Sequence, residues 1–206
     1  MSEPRRIAIL GCTGSIGRQT LEVVRMHPDE LRVTGLAANR DVGGLLELSQ
    51  EFPEASLVLF DPQAASELAQ KASAPVAAHM EGLVSLATSD AVDIVVVSVA
   101  GMIGLEPTIA ALKAGKQVAL ASKEVLVAGG AVVMPLAREG QLRPIDSEHS
   151  AIQQCLNGEE DRAGRANLSD VQRRPVPGLD ARPNGERNTR ASAATSHVAH
   201  GREDHH

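Results

Sequence analysis

Short apolar runs alternate along the chain with stretches in which apolar residues return every three or four positions. The first pattern marks a strand buried on both faces, the second a helix with one buried stripe. "RRIAILG" (Arg5–Gly11) is such a strand, closed by glycine. After it, Ile16, Thr20, Leu21, Val23 and Val24 line one side of a predicted helix. The same reading predicts strands over 31–38, 55–60, 91–100, 117–122 and 142–146, with "AVDIVVVSVA" (Ala91–Ala100) the clearest. Helices are predicted over 42–52, 62–72, 104–116 and 129–139, the third stopped by Gly115. Strands alternating with helices predict an α/β fold, a doubly wound Rossmann-like parallel sheet.

The pattern fades at Asn157. Residues 157–206 carry eight acids, eight arginines and only five Leu, Val, Ile or Met. Such a segment cannot bury enough apolar surface to offset the entropy of ordering it. A folded part over 1–158 and a disordered tail over 159–206 are therefore expected. Four tail histidines, His197, His200, His205 and His206, sit too close to the terminus of a polar segment to suggest a built metal site.

Charge and composition narrow the function. A net charge of −6 argues against a nucleic-acid binder held by phosphate contacts. Two cysteines, Cys12 and Cys155, make neither a disulfide framework nor a metal-ligand spacing. The N-terminus shows no secretory pattern and no apolar stretch spans a bilayer, so a cytoplasmic protein without membrane contact is expected.

Candidate chemistry lies at the ends of the predicted strands, where open parallel sheets bind ligands. Gly11, Gly14 and Gly17 form G-x-x-G-x-x-G between a strand and a helix. Glycines there permit a tight turn and close approach to a pyrophosphate, which the helix N-terminus attracts. No Gly-Lys-Ser/Thr follows, so a nucleotide-triphosphate loop is excluded. The second strand ends in Asn39, Arg40 and Asp41. A guanidinium suits the 2′-phosphate of NADP(H), while Asp41 keeps NAD open. "ASKE" places Ser122, Lys123 and Glu124 after one strand, and "IDSEHS" places Asp146, Ser147 and Glu148 after another. Asp146 and Glu148 could converge on Mg²⁺ or Mn²⁺ with Ser147 donating to a substrate oxygen. On spacing alone, Asp146 or Ser147 capping the helix "EHSAIQQCL" is the simpler reading, and His149 reads as a packed histidine.

Five stretches taken together carry a resemblance. "ILGCTGSIGRQTLEVV", "LAANRDV", "VVVSVAGMIGLEPTIAALKAGK", "LASKEVLVAGG" and "PIDSEHSAIQQCLNG" follow the order and spacing of the 1-deoxy-D-xylulose 5-phosphate reductoisomerase family over about residues 5–158. The resemblance implies an NADPH- and divalent-metal-dependent oxidoreductase and isomerase of isoprenoid precursor synthesis. Its substrate would be a small sugar phosphate, and the intact family is homodimeric. It implies cofactor binding by Thr13, Gly14, Ser15, Ile16, Asn39, Arg40, Asp41, Ser122 and Glu124. It implies catalytic roles for Lys123, Ser147 and Glu148, and metal ligation by Asp146 and Glu148, which reverses the preference for capping. Gln153 stands where the family usually has an aromatic residue. After Gly158 the resemblance stops, and the family's third carboxylate ligand, its substrate loop and its helical domain do not follow. The expected consequence is a chain with little or no catalysis, a nucleotide-binding module or a fragment.

The tail carries a trace of what is missing. Possible codons for "DVQRRPVP" (Asp170–Pro177), read from their second base, permit Thr-Ser-Ser-Gly-Gly-Pro-Phe-Arg, close to a family motif. The same offset applied to "TSHVAHGREDH" (Thr195–His205) permits His-Pro-Thr-Trp-x-Met-Gly-x-Lys-Ile-Thr, a second one. Out-of-frame translation from somewhere in 159–169 is thus expected.

Overall fold

The computed structural model describes residues 3–156. The tail, its histidines and the motifs expected there lie outside the described residues.

Seven strands form one parallel sheet: β1 (Arg5–Leu10), β2 (Leu31–Ala38), β3 (Ser56–Leu59), β4 (Val76–Ala78), β5 (Ile94–Val97), β6 (Gln117–Leu120) and β7 (Leu142–Pro144). Their spatial order is β4-β3-β2-β1-β5-β6-β7. The chain builds outward from β1 to β4, then returns to the other side of β1 for β5. That reversal opens a crevice at the carboxyl ends of β1 and β5. The Rossmann-like doubly wound sheet expected from the pattern is what the chain forms.

The helices are α1 (Ser15–Met26), α2 (Val42–Glu51), α3 (Pro62–Ala69), α4 (His79–Thr88), α5 (Leu105–Lys113), α6 (Lys123–Val133) and α7 (Ser147–Leu156). The strands serve two cores by alternation. Ile7 and Ile9 pack with Leu21, Leu45 and Leu68 from α1, α2 and α3. Ala8 and Leu10 pack with Leu83, Leu112 and Val125 from α4, α5 and α6. Central strands buried on both faces have no polar side, which is why they read as continuous apolar runs. A register shift between Ile7 and Ala8 leaves Thr34 of β2 unpaired opposite β1. Its hydroxyl donates instead to the Ala91 carbonyl at 2.8 Å.

Three elements differ from the pattern reading. β4 and α4 fall in a stretch that predicts nothing. β4 is a three-residue edge strand, and His79, the first residue of α4, has φ +59°. The sixth helix begins at Lys123 rather than 129, and ends at Val133 rather than 139. Pro135 lies in a short 3-10 turn over Met134–Leu136 that ends it.

Candidate functional site

The glycine turn joins β1 to α1. Gly11 takes φ +93°, and a Cβ there would sit 2.7 Å from the Ser98 carbonyl oxygen. Both the Gly11 and Cys12 N–H groups donate to the Ala37 carbonyl, at 2.8 and 2.9 Å. Gly17 packs α1 onto the turn so tightly that a Cβ would lie 2.2 Å from the Gly11 oxygen. Gly14 precedes the helix with extended backbone, and no side chain caps the first N–H groups of α1. A helix start left open at a sheet's crossing point is an anion site by geometry and by dipole. Thr13, Gly14, Ser15 and Ile16 make up this turn and the first residues of the helix. Cys12 beneath it is fully buried, and burial pushes its thiol up to about 12, so it is no nucleophile.

Beyond β2, the three candidates divide their work. Asp41 caps α2, its side chain accepting from Gly44 N at 2.9 Å. Asn39 accepts from Asp61 N at 3.0 Å. Arg40 is 77% exposed and donates through Nε to Asp61 at 2.9 Å. Asp61 itself caps α3 through Gln63 N and Ala64 N, and those bonds, with the Arg40 guanidinium, hold its carboxyl below the usual range. Asp61 is an anchor that the sequence pattern missed, although "DP" before a helix is a capping signal.

At the end of β6, Ser122 precedes α6 and is buried. Its hydroxyl donates to the Val99 carbonyl and so ties the β6 end to the β5 end. Lys123 and Glu124 open α6 and are exposed. At the end of β7, Ile145 N donates to Leu120 O at 3.0 Å. Asp146 then caps α7, accepting from His149 N at 2.7 Å, while its other oxygen meets His149 Nδ1 at 2.5 Å. The pair is mostly buried, at 15% and 12% side-chain exposure. Burial pushes the Asp146 carboxyl up, but the His149 hydrogen bonds and the charges of His149 and Lys123 outweigh it, and the net shift is downward. Capping, preferred from spacing, is thus present. It leaves Asp146 ionised, with lone pairs beyond the two it uses. Ser147 and Glu148 follow in the first turn of α7.

These strand ends share one side of the sheet. Ile16 and Gln19 of α1, Ala121, and Asp146, Ser147 and Ser150 line a cleft of about 540 Å³. Ile16 of the glycine turn therefore meets Asp146 and Ser147 of the metal motif. Asn39, Arg40, Asp41, Ser122, Lys123 and Glu124 do not line that cleft. Among the described residues, no group of three or more His, Cys, Asp or Glu is arranged to hold a metal, and no helix is long and apolar enough to cross a membrane.

Comparison with known proteins gives a consistent result. The family model for 1-deoxy-D-xylulose 5-phosphate reductoisomerase matches residues 7–130. The protein of that name from Desulfitobacterium hafniense is 49% identical over 162 residues, covering 76% of this chain and 42% of the relative. That from Clostridium perfringens is 45% identical over 161 residues, covering 75% and 42%. The chain thus spans about two-fifths of the length of these relatives. Among solved structures, the reductoisomerase from Zymomonas mobilis in complex with NADPH aligns with a TM-score of 0.68 at 38% identity, over 74% of this chain and 41% of that one. A reductoisomerase in complex with NADPH, fosmidomycin and magnesium aligns with a TM-score of 0.69 at 40% identity, over 73% and 38%.

Proposed function

The chain belongs to the 1-deoxy-D-xylulose 5-phosphate reductoisomerase family, and from that premise we propose that residues 1–158 are its NADPH-binding domain with the start of the catalytic segment. One observation carries the reading: the uncapped start of α1 lies at the sheet's crossing point, under a turn fixed by the Ala37 carbonyl. Thr13, Gly14, Ser15 and Ile16 would hold the pyrophosphate there, its charge facing free N–H groups. Arg40 would take the 2′-phosphate. Its Nε is committed to Asp61, and its terminal nitrogens make no other hydrogen bond among the described residues. Asp41 is occupied in capping α2, which favours NADPH over NADH. Asn39, Ser122 and Glu124 would complete the cofactor contacts.

The neighbouring strand ends would serve a sugar phosphate. Asp146 and Glu148 would hold Mg²⁺ or Mn²⁺, and the ionised Asp146 carboxylate fits a hard cation. When bound, such a metal polarises a substrate carbonyl as a Lewis acid, and NADPH supplies hydride. Ser147 and Glu148 would position substrate oxygens, and the Lys123 ammonium would stabilise negative charge developing on them. The reaction of the complete family chain would be rearrangement and reduction of 1-deoxy-D-xylulose 5-phosphate to 2-C-methyl-D-erythritol 4-phosphate. The 206 residues here offer two of its three carboxylate ligands in frame. Residues 1–158 would bind NADPH as a nucleotide-binding module. Residues from within 159–169 onward are read as out-of-frame, and sequencing the gene tests this: a single insertion or deletion there should restore both family motifs.

Calorimetric titration tests the cofactor reading. NADPH should bind at least about tenfold more tightly than NADH, the worth of one charge-assisted contact. Arg40→Ala should erase that preference. Equal affinities in the parent chain would refute the assignment.

A further inference from the structure

Ser98, immediately after β5, is bonded directly to the end of β1 beside the glycine turn, and none of the site assignments above gives it a role. Its backbone N–H donates to the Leu10 carbonyl at 2.9 Å, and its hydroxyl donates to the same oxygen at 2.8 Å. The hydroxyl also lies 3.4 Å from the Gly11 carbonyl oxygen. One residue therefore holds the last carbonyl of β1 twice, at the point where the chain leaves the sheet. On the other side, Ala37 holds the N–H groups of Gly11 and Cys12. The turn is gripped from both neighbouring strands, through its donors by β2 and through its acceptors by Ser98.

We propose that Ser98 is a positioning residue for the dinucleotide pyrophosphate, acting by fixing the orientation of the Gly11–Ser15 turn. The hydroxyl is spent on the turn, so its effect on a ligand passes through the direction of the turn's N–H groups. Those groups must point at the anion to bind it, and a modest rotation of the Leu10–Gly11 peptide misdirects them. The backbone bond from Ser98 remains in any variant, so loss of the hydroxyl loosens the turn without unpairing β1 from β5. Gly11 shows how little slack exists, since even a methyl there would meet the Ser98 backbone.

This inference rests on the NADPH reading of the site, and the experiment separates the two. Affinities for NADPH and for adenosine 2′-monophosphate are measured by calorimetry in the parent chain, Ser98→Ala and Ser98→Thr, with melting temperatures alongside. The nucleoside monophosphate reports Arg40 and the adenosine but has no pyrophosphate. Ser98→Ala should weaken NADPH about fivefold, the worth of one neutral hydrogen bond. It should leave adenosine 2′-monophosphate unchanged, and Ser98→Thr, which keeps the hydroxyl, should restore most of the loss. Equal NADPH affinity in Ser98→Ala and the parent overturns the role of Ser98 alone. Parallel weakening of both ligands, or a lower melting temperature with unchanged affinities, reduces Ser98 to a structural residue and also overturns it. Absence of NADPH binding in the parent chain overturns the site reading itself, and the inference with it.

Discussion

Gly17→Ala is the sharpest test of how the glycine turn is built. The added Cβ would lie 2.2 Å from the Gly11 oxygen, 2.6 Å from Cys12 Cα and 2.8 Å from the Cys12 carbonyl carbon. All three are backbone atoms, so no side chain can swing away. α1 must lift off the turn by roughly 1 Å, the gap to ordinary van der Waals contact. That movement disturbs the contacts of Leu21 and Val24, which the helix buries. Overpacking of this kind costs about 1–3 kcal/mol, against which better helix propensity returns under about 1. At about 2–4 °C per kcal/mol for a domain of this size, melting should fall by several degrees. Gly14→Ala is the matched control. Its Cβ meets only the Gly11 oxygen, at 3.3 Å, and its φ of −78° suits any residue. Melting followed by circular dichroism should drop for Gly17→Ala and stay within a degree or two for Gly14→Ala. Equal melting of Gly17→Ala and the parent would refute the close-packing argument.

Further outcomes follow from other residues. Asp93 accepts from the side chain and backbone of Arg6, and these bonds lower its carboxyl from 3.8 to about 2. A lowered carboxyl stabilises the fold above its unfolded value, and that contribution is lost as pH falls from about 4 to about 2; solvent screening of this half-exposed pair limits it to about 1 kcal/mol. Asp93→Asn should therefore flatten the pH dependence of stability in that window, seen by denaturant melts across it. The Thr108 hydroxyl is fully buried and has no hydrogen-bond partner among the described residues, so Thr108→Val should raise stability by about 1 kcal/mol in urea denaturation. α6 has no charged residue from Val125 to Val133, yet Val127 is 70% and Val132 57% exposed. Replacing both with lysine should suppress concentration-dependent aggregation in light scattering while leaving melting nearly unchanged.

Much of the fold was legible because its central strands are local apolar runs. Ile94–Val97 needs no partner to be recognised, and Ser15–Met26 declares itself by periodicity. β4 was not legible, because three residues at a sheet edge need little apolar character. The start of α6 was hidden because Lys123 and Glu124 look like a loop, although they form its exposed first turn. The site divides in the same way. Glycine spacing and the Asp146 cap are local, so they could be read along the chain. The anchoring of Arg40 by Asp61 joins residues 21 apart, and that of Leu10 by Ser98 joins residues 88 apart. Contacts at such separations are fixed by the order of strands, which no local pattern encodes. The family resemblance nominates candidate site residues without reference to these supports.

A domain built in this way should select NADPH. Thermal unfolding in saturating NADPH, beside NADH and no ligand, tests it most directly. At 100 times its dissociation constant, a ligand adds about 2.7 kcal/mol, or roughly 5–10 °C here. Melting should rise by that amount with NADPH and by clearly less with NADH at the same concentration. A melting temperature unmoved by NADPH, or moved equally by both, would contradict it.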